Sequence, residues 1–246
     1  GFGTRMRDYS ESIPKPMVNI GYRPILWQVM KYYAHYGHKD FILCLGYKAD
    51  LIKSYFLNYN EWLSNNFTLS KGGNIKLFNR DIEDWNITFV DTGLTANIGE
   101  RFKAVEKYLE SDGLTNLHLP TYIENFHKID KIASFLCVRP SQSFHLVDMN
   151  EDGLVKDIQD VKQRDIWING GYFIFKKEIF KYINQGEELV LEPFQRLIAK
   201  QELFSYKYTG FFGVMDTFKE KQHLDDMYAQ GERPWEVWKN QQLEAA

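Results

Sequence analysis

No stretch of this chain approaches the ~20 consecutive apolar residues that a membrane-spanning helix requires, and no amino-terminal leader pattern is visible. Cysteine is scarce: there are two, Cys44 and Cys137, each inside an apolar run. That is too few for a disulfide framework, and neither has the Cys/His spacing of a zinc site. Both are expected to be buried, reduced thiols. An excess of one charge is also lacking. Thirty Lys+Arg against 33 Asp+Glu leave a net charge of −3, which excludes a strongly basic nucleic-acid binder. Internal repeats and low-complexity linkers are absent from the sequence. These absences leave a cytoplasmic globular protein as the default expectation.

What is present suits a packed core: 44% hydrophobic and 16% aromatic residues over 246 positions. Apolar residues at helical spacing predict helices over 25–36, 49–59, 99–110, 191–200 and 218–230. Short apolar runs predict strands over 40–45, 86–90, 131–138, 143–149 and 172–175, with Asn150-Glu151-Asp152-Gly153 as a turn. Strand–helix alternation predicts an α/β fold, a Rossmann-like, mostly parallel sheet with helices on both faces and a small carboxy-terminal elaboration. One domain over 1–240 is expected, with 241–246 read as an added scar. The aromatics Phe204, Tyr206, Tyr208, Phe211, Phe212, Trp235 and Trp238 are of the type that marks an interface.

The chain opens on Gly1-Phe2-Gly3-Thr4-Arg5-Met6, followed by Pro14-Lys15-Pro16-Met17. Glycines let backbone N–H groups approach phosphate oxygens, and Arg5 and Lys15 add the positive charge that polyphosphate chemistry needs. Such a loop ordinarily leaves a buried strand, and none precedes it here. Near Tyr108-Leu109-Glu110-Ser111-Asp112-Gly113 a helix likewise runs into a turn with no intervening strand. A few residues are expected to be missing at both places.

Taken in order, the two segments above and Gly21-Tyr22-Arg23-Pro24-Ile25-Leu26 resemble the amino-terminal signature of sugar nucleotidyltransferases. Further matches resemble one subgroup, the glucose-1-phosphate cytidylyltransferases. They are Gly46-Tyr47-Lys48, Trp85-Asn86-Ile87-Thr88 with Val90-Asp91-Thr92-Gly93, Ile168-Asn169-Gly170-Gly171-Tyr172-Phe173, Met215-Asp216-Thr217 and Gly231-x-x-Pro234-Trp235-x-x-Trp238. The resemblance spans nearly the whole chain and implies the nucleotide-diphospho-sugar transferase fold. It also implies Mg²⁺-dependent transfer of a nucleotidyl group from an NTP, CTP in this subgroup, to a sugar 1-phosphate.

On that resemblance, Asp112 and Asp216 match the metal-binding aspartates, and Mg²⁺ commonly takes one or two carboxylates plus substrate phosphates. Lys15 and Arg5 match the phosphate-contacting lysine and arginine. Gly1, Gly3, Thr4 and Arg101 complete the nucleotide set, with Arg101 near a helix amino terminus. Asn169, Gly170 and Gly171 are expected to face the sugar. The resemblance further implies a homo-oligomer and a place in nucleotide-sugar supply for polysaccharide synthesis.

The subgroup pattern fails at one point. Its Gln-Glu-Lys-Pro stretch holds the sugar phosphate, and here it reads Gln159-Asp160-Val161-Lys162-Gln163. Asp160 replaces the Glu, and Lys162 stands one place beyond the Lys, which on a strand points to the other face. A non-glucose acceptor therefore stays open, as do dTTP or UTP. A non-catalytic, nucleotide-sugar-binding regulatory homologue is a further alternative, opposed by the presence of both aspartates. Asp216 also has a plainer reading as the N-cap of the helix over 218–230. A nicotinamide-dependent enzyme is disfavoured, because Met6 stands where the last glycine of G-x-G-x-x-G belongs.

Overall fold

The structure, a computed structural model, describes residues 13–94, 96–97, 99–101, 113–140 and 144–239. Gly1, Gly3, Thr4, Arg5 and Asp112 lie outside the described residues, as do most of the helix expected over 99–110 and the tail after 239.

Two short strands, β1 (Asn19–Ile20) and β2 (Arg23–Pro24), form a hairpin that feeds helix α1 (Ile25–His35). Pro24 is extended and enters the helix, and Gly37, at φ +91°, follows its end. Strand β3 (Asp40–Leu45) and helix α2 (Ala49–Leu57) come next. A small hairpin, β4 (Phe67–Leu69) with β5 (Ile75–Leu77), precedes β6 (Asn86–Asp91). Then come β7 (Leu114–Thr115), helix α3 (Leu119–Ile129) and β8 (Ala133–Val138).

The ribbon β9 (His145–Met149) and β10 (Val155–Asp160) turns at Gly153, in the turn region read from the sequence. The chain continues through β11 (Ile168–Asn169), β12 (Ile174–Phe175) and helix α4 (Glu192–Ala199). It closes with β13 (Leu203–Tyr208), β14 (Phe212–Gly213) and helix α5 (Phe218–Gln230).

Two parallel ladders organise the α/β fold. β3 pairs with β6 from Asp40↔Asn86 to Leu45↔Asp91, and β13 pairs with β8 from Leu203↔Ala133 to Tyr208↔Val138. The other edge of β8 takes β11 and β12 antiparallel. β8 is buried along nearly all its length, as a strand paired on both edges should be. β7 and β14 form a separate antiparallel pair.

Four apolar clusters hold these pieces. One joins Val18, Ile20, Ile25, Leu114, Met215, Leu224 and Trp235. A second packs α1 and α2 on β3 through Trp27, Met30, Leu43, Leu45 and Ile52. A third surrounds Tyr32, Tyr122, Leu136 and Tyr172, and a fourth lies under α4 around Ala133, Ile179 and Leu197. Trp238 packs against the first three, with its ring edge-on to Trp27 at 6.0 Å.

The structure corrects several readings of the carboxy-terminal aromatics and the thiols. Trp235 is 1% exposed, a core residue rather than interface surface. Cys137 is buried but Cys44 is partly exposed, and neither joins a disulfide. The strand expected over 172–175 is cut to Ile174–Phe175, because Tyr172 adopts φ +50° and breaks the extended run.

A buried charged cluster fixes the segment between α2 and β6. Arg23, 2% exposed, donates to Ser64 Oγ at 2.6 Å, to the Asn60 carbonyl at 2.7 Å and to the Tyr55 hydroxyl at 3.2 Å. Its guanidinium lies 3.8 Å from Asp81, which also accepts from Lys31 at 3.2 Å, Tyr59 at 3.1 Å and Asn65 at 2.8 Å. The desolvated charges are thus paired and hydrogen-bonded, as burial demands.

Candidate active site

Lys15 begins a 3-10 turn, Lys15–Met17, set between Pro14 and the first strand. The turn leads directly to Val18 and Ile20, which are buried in the same cluster as Met215. Asp216 follows Met215, and the two segments meet there: Lys15 Nζ donates to Asp216 Oδ1 at 2.5 Å, across 201 residues of sequence. Both side chains keep part of their surface in water, with relative exposures of 21% and 41%. A ligand can therefore reach the pair.

Asp216 is not the N-cap of α5. That role belongs to Thr217, whose side chain accepts from the Glu220 N–H, while the Glu220 carboxylate accepts from the Thr217 N–H at 2.8 Å. Glu220 also accepts from the Asp216 N–H at 2.9 Å. With the helix end satisfied by this capping box, the Asp216 carboxylate is available for Lys15. The sequence carries this signal as Thr217-Phe218-Lys219-Glu220, a capping-box pattern one residue beyond the Asp216 candidate.

Asp112 lies outside the described residues, but Gly113 beside it does not. β7 starts one residue later, and its Leu114 pairs with Gly213, three residues before Asp216. The Gly113 carbonyl accepts from the Tyr172 hydroxyl at 2.5 Å. Tyr172 immediately follows Asn169-Gly170-Gly171, so the segment expected to face the sugar is tied to the strand pair that leads to Asp216. The Tyr172 carbonyl in turn accepts from the Tyr122 hydroxyl at 2.8 Å. Burial pushes the Tyr122 phenol well above its ordinary pKa, so it stays a neutral donor. Asn169 Oδ1 accepts from the Gly171 N–H at 2.8 Å, and this fixes the turn. Gly170 backs onto β8, where an added Cβ would lie 3.1 Å from Val138 Cγ1 and 3.2 Å from the Leu136 carbonyl.

Arg101 sits in the first turn of a helix whose amino end is closed by Asn97. The Asn97 side chain accepts from the Glu100 N–H at 2.8 Å, and Glu100 accepts from the Asn97 N–H at 3.0 Å. The guanidinium reaches back over the carboxy-terminal ends of β3 and β6. It donates to Thr92 Oγ1 at 2.9 Å, to the carbonyls of Ala96 at 2.9 Å and Gly93 at 3.2 Å, and more loosely to Cys44 at 3.4 Å. Gly46 closes this corner: a Cβ there would fall 2.8 Å from the Gly93 carbonyl and 2.9 Å from Arg101 Nη2. Arg101 thus places fixed positive charge at the carboxy-terminal edge of a parallel ladder, where ligands of open α/β sheets bind.

The remaining expected residues, Asp160 and Lys162, lie where the β9–β10 ribbon ends. Asp160 ends β10 and accepts from the Lys162 N–H at 2.8 Å, capping a short 3-10 turn. Val161 is buried at 5% exposure, while the Lys162 side chain is exposed. No group of three or more His, Cys, Asp or Glu placed to hold a metal occurs among the described residues.

A lysine–carboxylate pair that joins segments 201 residues apart in sequence, and an arginine over the carboxy-terminal ends of a parallel ladder, suit a protein that handles phosphate esters. Sequence comparison makes this specific: the chain belongs to the nucleotidyl transferase family, whose profile matches residues 1–217. Its activity is nucleotidyl transfer. Similar to it is glucose-1-phosphate cytidylyltransferase of Salmonella typhi, 34% identical over 97% of this chain and 96% of that protein. The probable glucose-1-phosphate cytidylyltransferase of Bacillus subtilis (strain 168) is also 34% identical, covering 97% of each. Among solved structures, HddC from Yersinia pseudotuberculosis superposes with a TM-score of 0.61 at 21% identity, over 93% of this chain and 96% of its own. UDP-glucose pyrophosphorylase complexed with UDP-glucose gives 0.66 at 14% identity, over 94% and 96%. These last two show the shared fold.

Proposed function

We propose that the enzyme transfers a cytidylyl group from CTP to glucose 1-phosphate, forming CDP-glucose and pyrophosphate. The Lys15–Asp216 contact carries the chemistry, joining a cation suited to phosphate with a carboxylate suited to a divalent ion, and the choice of CTP and glucose 1-phosphate follows the 34% identical cytidylyltransferases. A phosphate oxygen of the sugar 1-phosphate attacks the α-phosphorus of the nucleotide as the bond to pyrophosphate breaks. Lys15 neutralises phosphate charge and, with Arg5, orients the reacting groups; catalysis of this kind is mainly positioning and electrostatics. Gly1, Gly3, Thr4 and Arg101 complete the nucleotide side. Asn169, Gly170 and Gly171 line the sugar side, and Asn169 offers its amide to hydroxyls.

The donor set suits Mg²⁺, which takes few protein oxygens and completes its shell with water and phosphate. Asp216 offers a partly exposed carboxylate beside Lys15 rather than a closed cage. Asp216, with Asp112, would hold the ion, which would supply charge neutralisation at the phosphates. A single domain over 1–240, a homo-oligomer and a cytoplasmic location, where nucleoside triphosphates are found, accompany the proposal.

A second reading concerns the acceptor alone. Valine at 161 is buried and Lys162 is exposed, so the lysine that the subgroup pattern puts at 161 has no equivalent there. A sugar 1-phosphate other than glucose is favoured by that observation. Pyrophosphate release tests both readings, with CTP, UTP, dTTP and GTP each run against a panel of hexose and heptose 1-phosphates in Mg²⁺. The expected result is greatest turnover with CTP and glucose 1-phosphate, abolished by chelation. Another sugar giving the greatest rate would select the second reading. Release with no pair would overturn both and favour a binding protein without catalysis.

A further inference from the structure

Strand register puts an unassigned cationic group on the face of the sheet that carries Asn169. Cys137 of β8 pairs with Asn169 on one edge and with Lys207 on the other, so the three side chains share one row and one face. Arg139, two residues beyond Cys137, and Trp167, two before Asn169, extend that face. Contacts join the group: the Arg139 guanidinium lies 4.5 Å from the Trp167 ring centroid and the Lys207 ammonium 5.0 Å from it. Asp165 binds two members, accepting from Trp167 Nε1 at 2.9 Å and pairing with Arg139 Nη2 at 2.8 Å. Arg139 also donates to the Arg164 carbonyl at 2.6 Å.

The charges do not balance. Asp165 answers Arg139, and Arg164 is answered by Asp157 at 3.4 Å. Lys207 is exposed and makes no salt bridge among the described residues. An indole face attracts an ammonium group without neutralising it. Asp165 is the one carboxylate facing both Arg139 and Lys207, so Lys207 is a held, only partly compensated cation in the same row as the residue expected to meet the sugar. The same segment reaches the Gly113 carbonyl through Tyr172, and so the strand pair that precedes Asp216.

We propose that Lys207, held on Trp167 beside Arg139, contacts the phosphate of the sugar 1-phosphate and helps set acceptor specificity. This rests on the reading of Asn169 as a sugar-facing residue of a nucleotidyltransferase. Lys162 is the competing candidate, and the structure leaves its side chain in solvent next to a buried valine.

The test compares Lys207→Ala, Lys207→Arg and Lys162→Ala with the parent enzyme. Steady-state pyrophosphate release is measured with CTP and glucose 1-phosphate, each varied in turn, alongside calorimetric binding of glucose 1-phosphate alone. Lys207→Ala should raise KM for the sugar phosphate about tenfold or more and leave KM for CTP within about twofold, and Lys207→Arg should recover most of the loss. An unchanged sugar-phosphate KM in Lys207→Ala, or a rise confined to Lys162→Ala, overturns the proposal while the functional reading stands. If the parent shows no turnover, the functional reading fails and binding decides. A tenfold weaker affinity in Lys207→Ala then supports the subsite, and equal affinity or no binding by the parent overturns it.

Discussion

Replacing Asp216 by Asn should separate chemistry from folding. The substitution keeps size and shape but removes the charge that faces Lys15 at 2.5 Å. Both partners are partly exposed, so the pair contributes no more than about 1 kcal/mol to stability, the usual ceiling for solvated ion pairs. For a chain of this size that corresponds to a fall in Tm of roughly 2–4 °C. Helix α5 should not fray, since its cap is Thr217 with Glu220 and neither is touched. Turnover is a different matter. Losing one fixed electrostatic group at a reacting phosphate costs about 10²–10³-fold, or roughly 2.7–4 kcal/mol, by comparison with other preorganised sites. The assay pairs pyrophosphate release across a Mg²⁺ series with thermal unfolding followed by circular dichroism. Turnover within tenfold of the parent would remove Asp216 from the chemistry. A Tm loss above about 6 °C would show that the carboxylate is structural, contrary to its exposure.

Asp81→Ala should destabilise by about 3–5 kcal/mol in urea unfolding, because it strands the buried Arg23 charge; a loss below about 1 kcal/mol would refute the buried-cluster account. Trp235→Ala should cost about 3–5 kcal/mol. Trp235→Phe should cost under about 1.5 kcal/mol, since the indole N–H makes no hydrogen bond among the described residues, and equal losses for the two would contradict this. Arg196 first, and then Asn184, pull the Glu187 carboxyl down from 4.5 to about 2. Its folded value lies below its unfolded value, so its stabilisation is present above about pH 4.5 and is lost as pH falls toward about 2. Glu187→Gln should therefore flatten the acid limb of the stability profile in that window, and an unchanged limb would show the pair to be inconsequential.

Much of the fold was readable where pattern and burial agree. β3 appears over the predicted residues because Phe41 to Leu45 is a continuous apolar run on a strand packed under α1 and α2. Helix α5 appears over 218–230 because its start and stop, Thr217 and Gly231, are chemically marked. Helix α3 is weakly marked in the sequence, since only Leu119, Tyr122 and Phe126 bury an apolar face and Pro120 interrupts its start. Proline is in fact tolerated in a helix's first turn. β13 was hidden by its alternation, Leu203-Phe204-Ser205-Tyr206-Lys207-Tyr208, which resembled exposed aromatic surface until β8 supplied a partner. For the site, motif order singled out Lys15 and Asp216. It gave no access to the Tyr172–Gly113 bond or the Arg139–Trp167–Lys207 group, because those depend on which distant segments come together, which the pattern within one segment does not specify.

The meeting of Lys15 and Asp216 is a product of the core and not of their own attraction. An ion pair worth at most about 1 kcal/mol cannot gather segments so far apart in sequence. Burying Val18 and Ile20 on one side and Met215 on the other can, at roughly 1.5–3 kcal/mol for each such side chain, and these residues share one cluster with Leu114, Leu224 and Trp235. The charged groups at the edge of that cluster are therefore carried into contact by buried apolar neighbours. The consequence is mechanical economy. Separating lysine from carboxylate, so that one can meet a phosphate and the other a cation, costs little and disturbs none of the packing that placed them. On the proposed function, the site would exchange its internal ion pair for ligand contacts while the surrounding fold stays where it is.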